Sequence, residues 1–282
     1  MGAAPPTSLG CATAFVKQAV AAMAYLLSAV FWSWLVLSSL ALFPGAVAIW
    51  LVTVPFDRRL NALHRYTCFW ASLYTWTNPA WSVSIRGRSR FVPGTTYVIV
   101  SNHQSLVDIL AAFRLFLPFK WVAKAELFSL PVVGWNMRLN RYIPIRRGDA
   151  RSAETMLNAA ERTLRAGCSV YLFHEGTRSR TPELRHFKTG AFRLAQRTRT
   201  PILPIAISGS RDALPKHSLL LRGKHHIQLT LLEPISAEHV CQLSPEALAA
   251  EVRTRIAAAL IEDAGFQPLG PPGNPPTRRA SH

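Results

Sequence analysis

Residues 97–108, which read YVIVSNHQSLVD, decide how the rest of the chain is interpreted. The first four are one aromatic residue and three β-branched residues, which is typical of a short buried strand. Polar residues follow at once, and we predict a helix from about residue 105 to residue 116. A strand that ends in polar residues and continues into a helix is the building unit of α/β sheets, whose ligands bind at the carboxyl ends of the strands.

The same texture recurs after residue 82. Apolar runs of strand length lie near 82–85, 120–123, 142–145, 169–173, 202–208 and 227–232. Helical patterns lie between them, including one that Asp149 or Ser152 could cap and that reaches Arg165. This alternation predicts an α/β fold with a mixed, largely parallel sheet flanked by helices.

The N-terminal part carries no charged residue from 18 to 56. About 20 apolar residues are enough to span a bilayer as a helix. A straight helix over the whole uncharged run would measure roughly 58 Å, far more than the ~30 Å hydrocarbon core. We therefore expect a bend at Pro44-Gly45. The segment would then be either one span within residues 19–43 followed by an interfacial piece, or a re-entrant helical hairpin.

The charges on either side of this apolar run predict its orientation. Arg58, Arg59 and Arg65 follow it, whereas Lys17 alone precedes it. Basic residues accumulate on the cytoplasmic side of membrane segments. We therefore expect a bacterial-type inner membrane protein whose α/β domain lies on the cytoplasmic side. The aromatic-rich stretch up to residue 81 suits an interfacial belt and a core helix equally well.

These patterns divide the chain into four parts. Residues 1–17 form a flexible N-terminus, and residues 18–81 form a membrane-anchoring and interfacial helical segment. Residues 82–265 form the α/β domain. Residues 266–282, rich in proline and glycine, are expected to be disordered.

The formal net charge of +17 favours polyanionic partners, such as anionic lipid headgroups, phosphorylated substrates or nucleic acid. No helix-turn-helix, zinc-finger or RNP pattern accompanies the charge, so we expect no nucleic-acid partner. The four cysteines are widely and irregularly spaced, with no CxxC pair. We therefore expect neither a metal site nor a disulfide framework.

His103 and Asp108 are the first candidates for catalysis. They are five residues apart, which in a regular helix places them about 140° off a shared face. They can meet only if His103 lies before the helix. A carboxylate beside an imidazole fixes its tautomer and stabilises the imidazolium, and histidine suits general-base work near neutral pH. An isolated pair of this kind is also common as a structural contact. Ser105 lacks a GxSxG context, so a serine nucleophile is disfavoured.

A second polar cluster, HEGTRSR, occupies residues 174–180. Gly176 permits close approach of a ligand to the backbone. Arg178 offers a planar, permanently charged fork suited to phosphate, and Glu175 is placed to hold it. Arg147 and Lys124, at the ends of two other predicted strands, are further candidates for binding phosphate. The alternative for each is a solvated basic surface.

The motifs NHxxxxD at residues 102–108 and EGTRS at residues 175–179, in this order, resemble those of the glycerolipid acyltransferase family. The resemblance is greatest to the 1-acyl-sn-glycerol-3-phosphate acyltransferases. The segment FKTGAF at 187–192 and a strand containing Pro204 also fit. The family's second motif, similar to GxIFIDR, departs here to RYIPIRR at 141–147, where only Arg147 matches the final basic position.

The resemblance implies a reaction and a set of roles. An acyl group would pass from acyl-CoA or acyl carrier protein to the free sn-2 hydroxyl of 1-acyl-glycerol-3-phosphate, a membrane lysophospholipid, and the product would be phosphatidic acid. His103 would be the base and Asp108 its orienting partner. Arg147 and Lys124 would add to an acceptor-phosphate site built from the second motif: Glu175, Gly176, Thr177 and Arg178. No metal and no cofactor beyond the acyl donor is implied.

Two alternatives remain open from the sequence. The acceptor could be another lysolipid, such as a lyso-aminolipid of the ornithine-lipid type. The chain could instead be a non-catalytic membrane protein that binds anionic lipids through its basic surface, in which case His103 would not matter for its function.

Overall fold

The computed structural model describes residues 8–265, apart from 174–183, 185–186, 216–217 and 222. The strands are β1 Trp81–Arg86, β2 Val98–Ser101, β3 Phe119–Lys124, β4 Ile143–Ile145, β5 Ser169–Phe173, β6 Ile202–Ser208 and β7 His225–Leu231. The helices are α1 Ser8–Thr53, α2 Asn61–Trp76, α3 Val107–Phe113, α4 Val133–Leu139, α5 Ala150–Arg165, α6 Gly190–Thr198, α7 Ala237–Gln242 and α8 Pro245–Gly265.

The seven strands form one sheet in the order β1-β7-β6-β2-β5-β3-β4. β2 lies at the centre and pairs in parallel with β5 on one side and β6 on the other. β3 and β4 continue the parallel arrangement, whereas β7 pairs antiparallel with β6 and parallel with β1. The predicted mixed, largely parallel sheet is therefore confirmed.

Helices cover both faces of the sheet because the strand side chains alternate between two apolar clusters. In β2, Ile99 faces a cluster that includes residues of α2 and α3, whereas Val98 and Val100 face a cluster that includes residues of α5, α6 and α8. All four residues of β2 are buried. A strand buried on both faces reads as a continuous apolar run, which is what residues 97–100 show.

The predicted cap of α5 is confirmed. Asp149 precedes the helix, and its carboxylate accepts the Ser152 N–H at 3.1 Å. The helix ends at Arg165, and Gly167 then adopts a φ of 76°, which turns the chain into β5. A capping acidic residue and a left-handed glycine are the signals that bound a helix of this length.

The prediction that the helix is divided at Pro44-Gly45 is wrong. α1 is one continuous helix of 46 residues with Pro44 inside it, about 69 Å long. Proline removes one helical hydrogen bond, and α2 packs against the helix close to this position. Tyr66 of α2 donates a hydrogen bond to the Leu42 carbonyl at 2.8 Å. A Cβ on Gly45 would lie 2.6 Å from the Tyr66 hydroxyl, so this glycine makes room for α2 rather than ending the helix. Because α1 is one continuous helix, the re-entrant hairpin is excluded as well.

α1 packs along the domain through one of its faces. Phe31 contacts the Trp81 ring at 5.2 Å, and Ser39 shares a 2.9 Å hydrogen bond with the Tyr74 hydroxyl. The outward face exposes large apolar side chains, which include Val30, Val36, Leu37, Leu40, Leu51 and Val52. Within the described residues, the stretch Ala22–Thr53 of this helix is long and apolar enough to cross a membrane.

The aromatic residues between 66 and 81 divide between core and surface. Trp70, Tyr74 and Trp81 are buried in the cluster beneath α1 and α2. Phe69 and Trp76, by contrast, are exposed on α2. The core-helix interpretation is therefore confirmed for the three buried residues, and the interfacial belt stays a prediction for the two exposed ones.

Candidate active site

The turn that presents His103 is tied to the neighbouring strand by Asn102. β2 ends at Ser101, and the Asn102 side chain then donates to the Ile207 carbonyl and accepts the Ile207 N–H, both at 2.8 Å. Ser101 is paired with Ile205 in the β2–β6 ladder, so the Asn102 amide takes the place of the next ladder residue. The backbone can leave the sheet at this point without leaving Ile207 unpaired.

His103 and Asp108 meet because His103 lies before α3, as the spacing requires. The imidazole Nδ1 lies 2.9 Å from the Asp108 Oδ2. The same oxygen accepts the backbone N–H groups of Gln104 and Ser105 at 2.6 and 2.9 Å. Asp108 is fully buried and His103 nearly so. The carboxylate therefore holds Nδ1 in its protonated form, which makes Nε2 the basic nitrogen of the ring.

Ser105 serves the geometry of the turn. Its hydroxyl is buried and donates to the Leu214 carbonyl at 2.9 Å. Its N–H donates to Asp108, as described above. These contacts give Ser105 a structural task, in agreement with the absence of a nucleophile motif around it.

Phe173 forms the wall beside His103. As the last residue of β5, it pairs with Ser101 across the ladder and lies at the carboxyl end of the sheet. Its ring is nearly parallel to the imidazole, with centroids 4.0 Å apart and an angle of 19°. The Trp121 ring is also nearly parallel to the Phe173 ring, and their centroids are 5.3 Å apart. The stack restricts rotation of the imidazole about the bond that carries it.

A cavity of about 460 Å³ opens at the same edge of the sheet. Four cationic residues line it: Lys124, Arg146, Arg147 and Lys188. Phe173 lines it as well, so one ring belongs both to this cavity and to the contact with His103. The first residues of α5 and α6 also lie in its wall, and helix N-termini favour negative charge. The cavity is therefore suited to an anionic group.

Lys124 also pairs with Glu126 at 3.2 Å, and both side chains are exposed. A surface pair of this kind contributes little to stability and is easily exchanged for a ligand contact. Hydrogen bonding within the Glu126 turn, helped by Lys124, keeps the pKa of this carboxyl below its usual value.

The structure thus places the predicted site residues as follows. His103 and Asp108 are in contact, and Arg147 and Lys124 line one cavity beside them. The predicted phosphate-binding residues of the second motif lie outside the described part of the chain: Glu175, Gly176, Thr177 and Arg178. Among the described residues, no group of three His, Cys, Asp or Glu side chains could hold a metal ion.

Sequence patterns alone assign no individual role to two residues of this site. Asn102 was noted only as part of a motif, and its double hydrogen bond to Ile207 depends on a strand more than a hundred residues away. Phe173 was counted as the end of a strand. The available signal was position, because both residues stand at the point where an apolar strand gives way to polar residues.

Comparison with known proteins agrees with this geometry. The family model described as Acyltransferase matches residues 82–208. A 1-acyl-sn-glycerol-3-phosphate acyltransferase of Chlamydomonas reinhardtii is 32% identical over 238 residues, which are 82% of this chain and 71% of the relative. A chloroplastic enzyme of the same name from Brassica napus is 32% identical over 68% of this chain and 56% of its own length. The alpha form from Mus musculus is 36% identical over 61% of each chain.

One solved structure shares the fold. The 1-acyl-sn-glycerophosphate acyltransferase of Thermotoga maritima superposes with a TM-score of 0.69 over 86% of this chain and 97% of that one, at 21% identity. At this identity the likeness concerns the fold alone. The family match and the Chlamydomonas relative together show that the chain is an enzyme of the acyltransferase family that contains the 1-acyl-sn-glycerol-3-phosphate acyltransferases.

Proposed function

We propose that this enzyme transfers a fatty acyl group from a thioester to the free sn-2 hydroxyl of 1-acyl-glycerol-3-phosphate and so makes phosphatidic acid. The names of its relatives support this acceptor. The structural observation that carries the proposal is the double role of Phe173. This ring lies on the His103 imidazole and also lines the cationic cavity, so an anion bound there lies close to the base.

The cavity suits the phosphate of a glycerol phosphate. Its cations supply charge-assisted hydrogen bonds, and the guanidinium groups of Arg146 and Arg147 supply planar forks. Its volume of about 460 Å³ is in the usual range for small-molecule sites. Arg178 and its motif neighbours, which follow Phe173 closely in the sequence, stay predicted members of this site.

His103 then acts as the general base. With the phosphate held in the cavity, the acceptor hydroxyl is directed to Nε2 of His103. The imidazole takes the hydroxyl proton as the oxygen attacks the thioester carbonyl carbon, and Asp108 stabilises the imidazolium that forms. The tetrahedral intermediate collapses, the carbon–sulfur bond breaks, and the thiolate leaves with the proton that His103 returns. The scheme needs no covalent enzyme intermediate.

The donor thiol belongs either to coenzyme A or to acyl carrier protein, and both fit this scheme. The two donors differ in how they would bind, because coenzyme A brings its own phosphates whereas acyl carrier protein docks as a folded partner. We propose no further cofactor.

The chain works at a membrane surface in this proposal. The outward face of α1 offers the apolar surface that lipid would cover. Over residues 31–46 the other face of α1 packs on the domain. Lipid can therefore contact only those parts of α1 that the domain leaves uncovered. The basic residues after α1 favour the cytoplasmic side of a bacterial-type inner membrane. This placement lets an amphiphilic acceptor reach the site without its acyl chain crossing water.

The same observations weigh against the alternatives. Four cations in one cavity suit a phosphate better than the zwitterionic headgroup of a lyso-aminolipid. A non-catalytic lipid-binding protein gives no reason for a buried imidazole–carboxylate pair that stacks on a wall residue of a cationic cavity.

The test is product analysis. The purified full chain would be given mixed lysolipids with acyl-CoA or acyl carrier protein donors, and the products identified by mass spectrometry. We expect phosphatidic acid from the wild type and none above background from His103→Ala that still inserts into vesicles. Preferential acylation of a lyso-aminolipid, or equal turnover by His103→Ala, would overturn the proposal.

A further inference from the structure

The segment of residues 218–221, with the sequence SLLL, is attached directly to α1. The Leu221 N–H donates to the Ser28 hydroxyl at 2.9 Å, and the Trp32 indole donates to the Leu219 carbonyl at 2.8 Å. Ser28 and Trp32 are one helical turn apart and therefore lie on the same face. Both contacts join an apolar N-terminal helix to a loop nearly 190 residues later, and the catalytic scheme uses neither of them.

This segment contacts α1 at the place where the helix leaves the domain. Before Ser28, the side chains of Met23, Tyr25, Leu26 and Leu27 are each more than half exposed. Successive helical residues point about 100° apart, so these four side chains occupy about 200° of the helix circumference. From Ser28 onward one face is buried, as Phe31 shows. A helix that exposes apolar side chains over more than half of its circumference is suited to a segment that lies in lipid.

The segment itself has the composition of a membrane-contacting loop. Leu219 is 69% exposed, whereas Leu221 is buried beside α1. Lys216, Arg222 and Lys224 flank it in the sequence. A single exposed leucine is ordinary on a protein surface. This one is held against the apolar helix, next to a tryptophan and between basic residues, which is the pattern of groups that lie at the boundary between headgroups and acyl chains.

We propose that residues 218–221 form a second membrane-contact element, in which Leu219 enters the acyl layer beside α1 and the exposed Lys224 lies among anionic headgroups. The proposal rests on the membrane placement of α1 under the proposed function. It adds a second point of attachment to the membrane, in a loop that is far along the chain from the N-terminal helix. Two attachments restrict rotation of the domain about α1 and so set how the active-site edge faces the lipid.

The experiment measures the depth of nitroxide labels in the full chain, reconstituted into vesicles of phosphatidylcholine and phosphatidylglycerol. Labels would be placed at Leu219→Cys, at Leu37→Cys on the outward face of α1, and at Ile261→Cys. The background variant carries Cys11→Ser and Cys241→Ser. The label signal that this variant gives without an added cysteine is subtracted from each measurement. Ile261 is the matched control, because it is 74% exposed but lies on α8, in the helix layer across the sheet from α1.

Each label is tested for collision with oxygen, which concentrates in lipid, and with a water-soluble nickel chelate. We expect the oxygen-to-nickel ratio at positions 219 and 37 to exceed that at 261 several-fold. A lipid-exposed label at 37 with a water-exposed label at 219 overturns this inference and leaves the proposed function intact. Water exposure at both 37 and 219 overturns the membrane placement of α1, and this inference with it.

Discussion

The ring of Phe173 lies flat against the imidazole of His103, with centroids 4.0 Å apart, and the same ring lines the cationic cavity. Phe173, on β5, thus contacts both the imidazole, which follows β2, and the cavity. The imidazole is fixed on one side by Asp108 and on its flat face by Phe173. The geometry that the proposed general-base catalysis requires is therefore present without substrate, which would avoid reorganisation in the reaction.

Removing the base should abolish turnover. We expect His103→Ala to lower kcat by roughly 10²–10⁴-fold, the usual contribution of general-base catalysis, with little change in acceptor KM. The matched control is His239→Ala. His239 is also paired with a carboxylate, Glu251, at 2.9 Å, but it lies on the far helices and should leave kcat unchanged. Equal activity of the two variants in steady-state assays would show that His103 is not the base.

Neutralising the cavity should weaken acceptor binding more than chemistry. We expect Arg147→Ala and Lys188→Ala each to raise the acceptor KM about tenfold, the effect of losing a charge-assisted contact worth about 1.5 kcal/mol. Arg151→Ala is the control, because this arginine is exposed on α5 but does not line the cavity. A fall in kcat at constant KM would assign these cations to the acyl donor or the transition state instead.

The stacked ring should influence the position of the imidazole. We expect Phe173→Leu, which keeps much of the volume but removes the flat surface, to lower kcat several-fold and to change the pH profile of kcat. The measurement is kcat between pH 5 and 9 for the variant and the wild type. Phe91→Leu, which alters an aromatic contact to Tyr97 away from the site, should leave the profile as it is. An unchanged profile for Phe173→Leu would mean that Asp108 alone positions the ring.

Asn102 should act through position rather than through substrate contact. Asn102→Ala leaves the buried N–H and carbonyl of Ile207 without their partners, which costs about 2–4 kcal/mol of stability. We expect a lower kcat as well, because the turn that holds His103 is no longer tied to β6. Asn140→Ala, at another buried amide that bonds Thr67 and Asn136, should lower stability without affecting kcat in the surviving folded fraction.

The buried charge of Lys120 should lower the free energy of unfolding at neutral pH relative to its value at higher pH. This lysine is buried on β3, and burial is the main reason that its pKa falls to about 8. Between about pH 8 and its ordinary value of 10.5, the unfolded chain binds more protons than the folded one, so stability should rise with pH there. The full difference corresponds to on the order of 3 kcal/mol.

The test for Lys120 is urea unfolding of the detergent-solubilised chain. We expect Lys120→Met to be more stable than the wild type at pH 7 and to lose the rise in stability above pH 8. Among the described residues, the Lys120 ammonium has no hydrogen-bond partner whose loss would offset the gain. Lower stability of the methionine variant at pH 7 would show that the buried charge is stabilised by its surroundings.

The elements that the sequence predicted well are those defined by local pattern. β5 and β6 begin and end at the predicted residues, and α5 has its predicted cap, because strand alternation and capping chemistry involve neighbours in the chain. The division of α1 at Pro44 was wrong, and the contact that α1 makes beside the proline comes from Tyr66 on another helix. Local rules for proline do not include such partners.

The sequence by itself determined the fold class, the acyltransferase family and the meeting of His103 with Asp108. Each follows from patterns that can be read along the chain without knowledge of its packing, and a five-residue spacing admits contact only when the histidine precedes the helix. The tertiary structure alone decided that Phe173 joins the base to the cavity, that Asn102 is tied to Ile207, and that α1 packs on the domain. These contacts join strands and helices far apart in sequence, and their distances are set by the packing of the sheet, which no local pattern encodes.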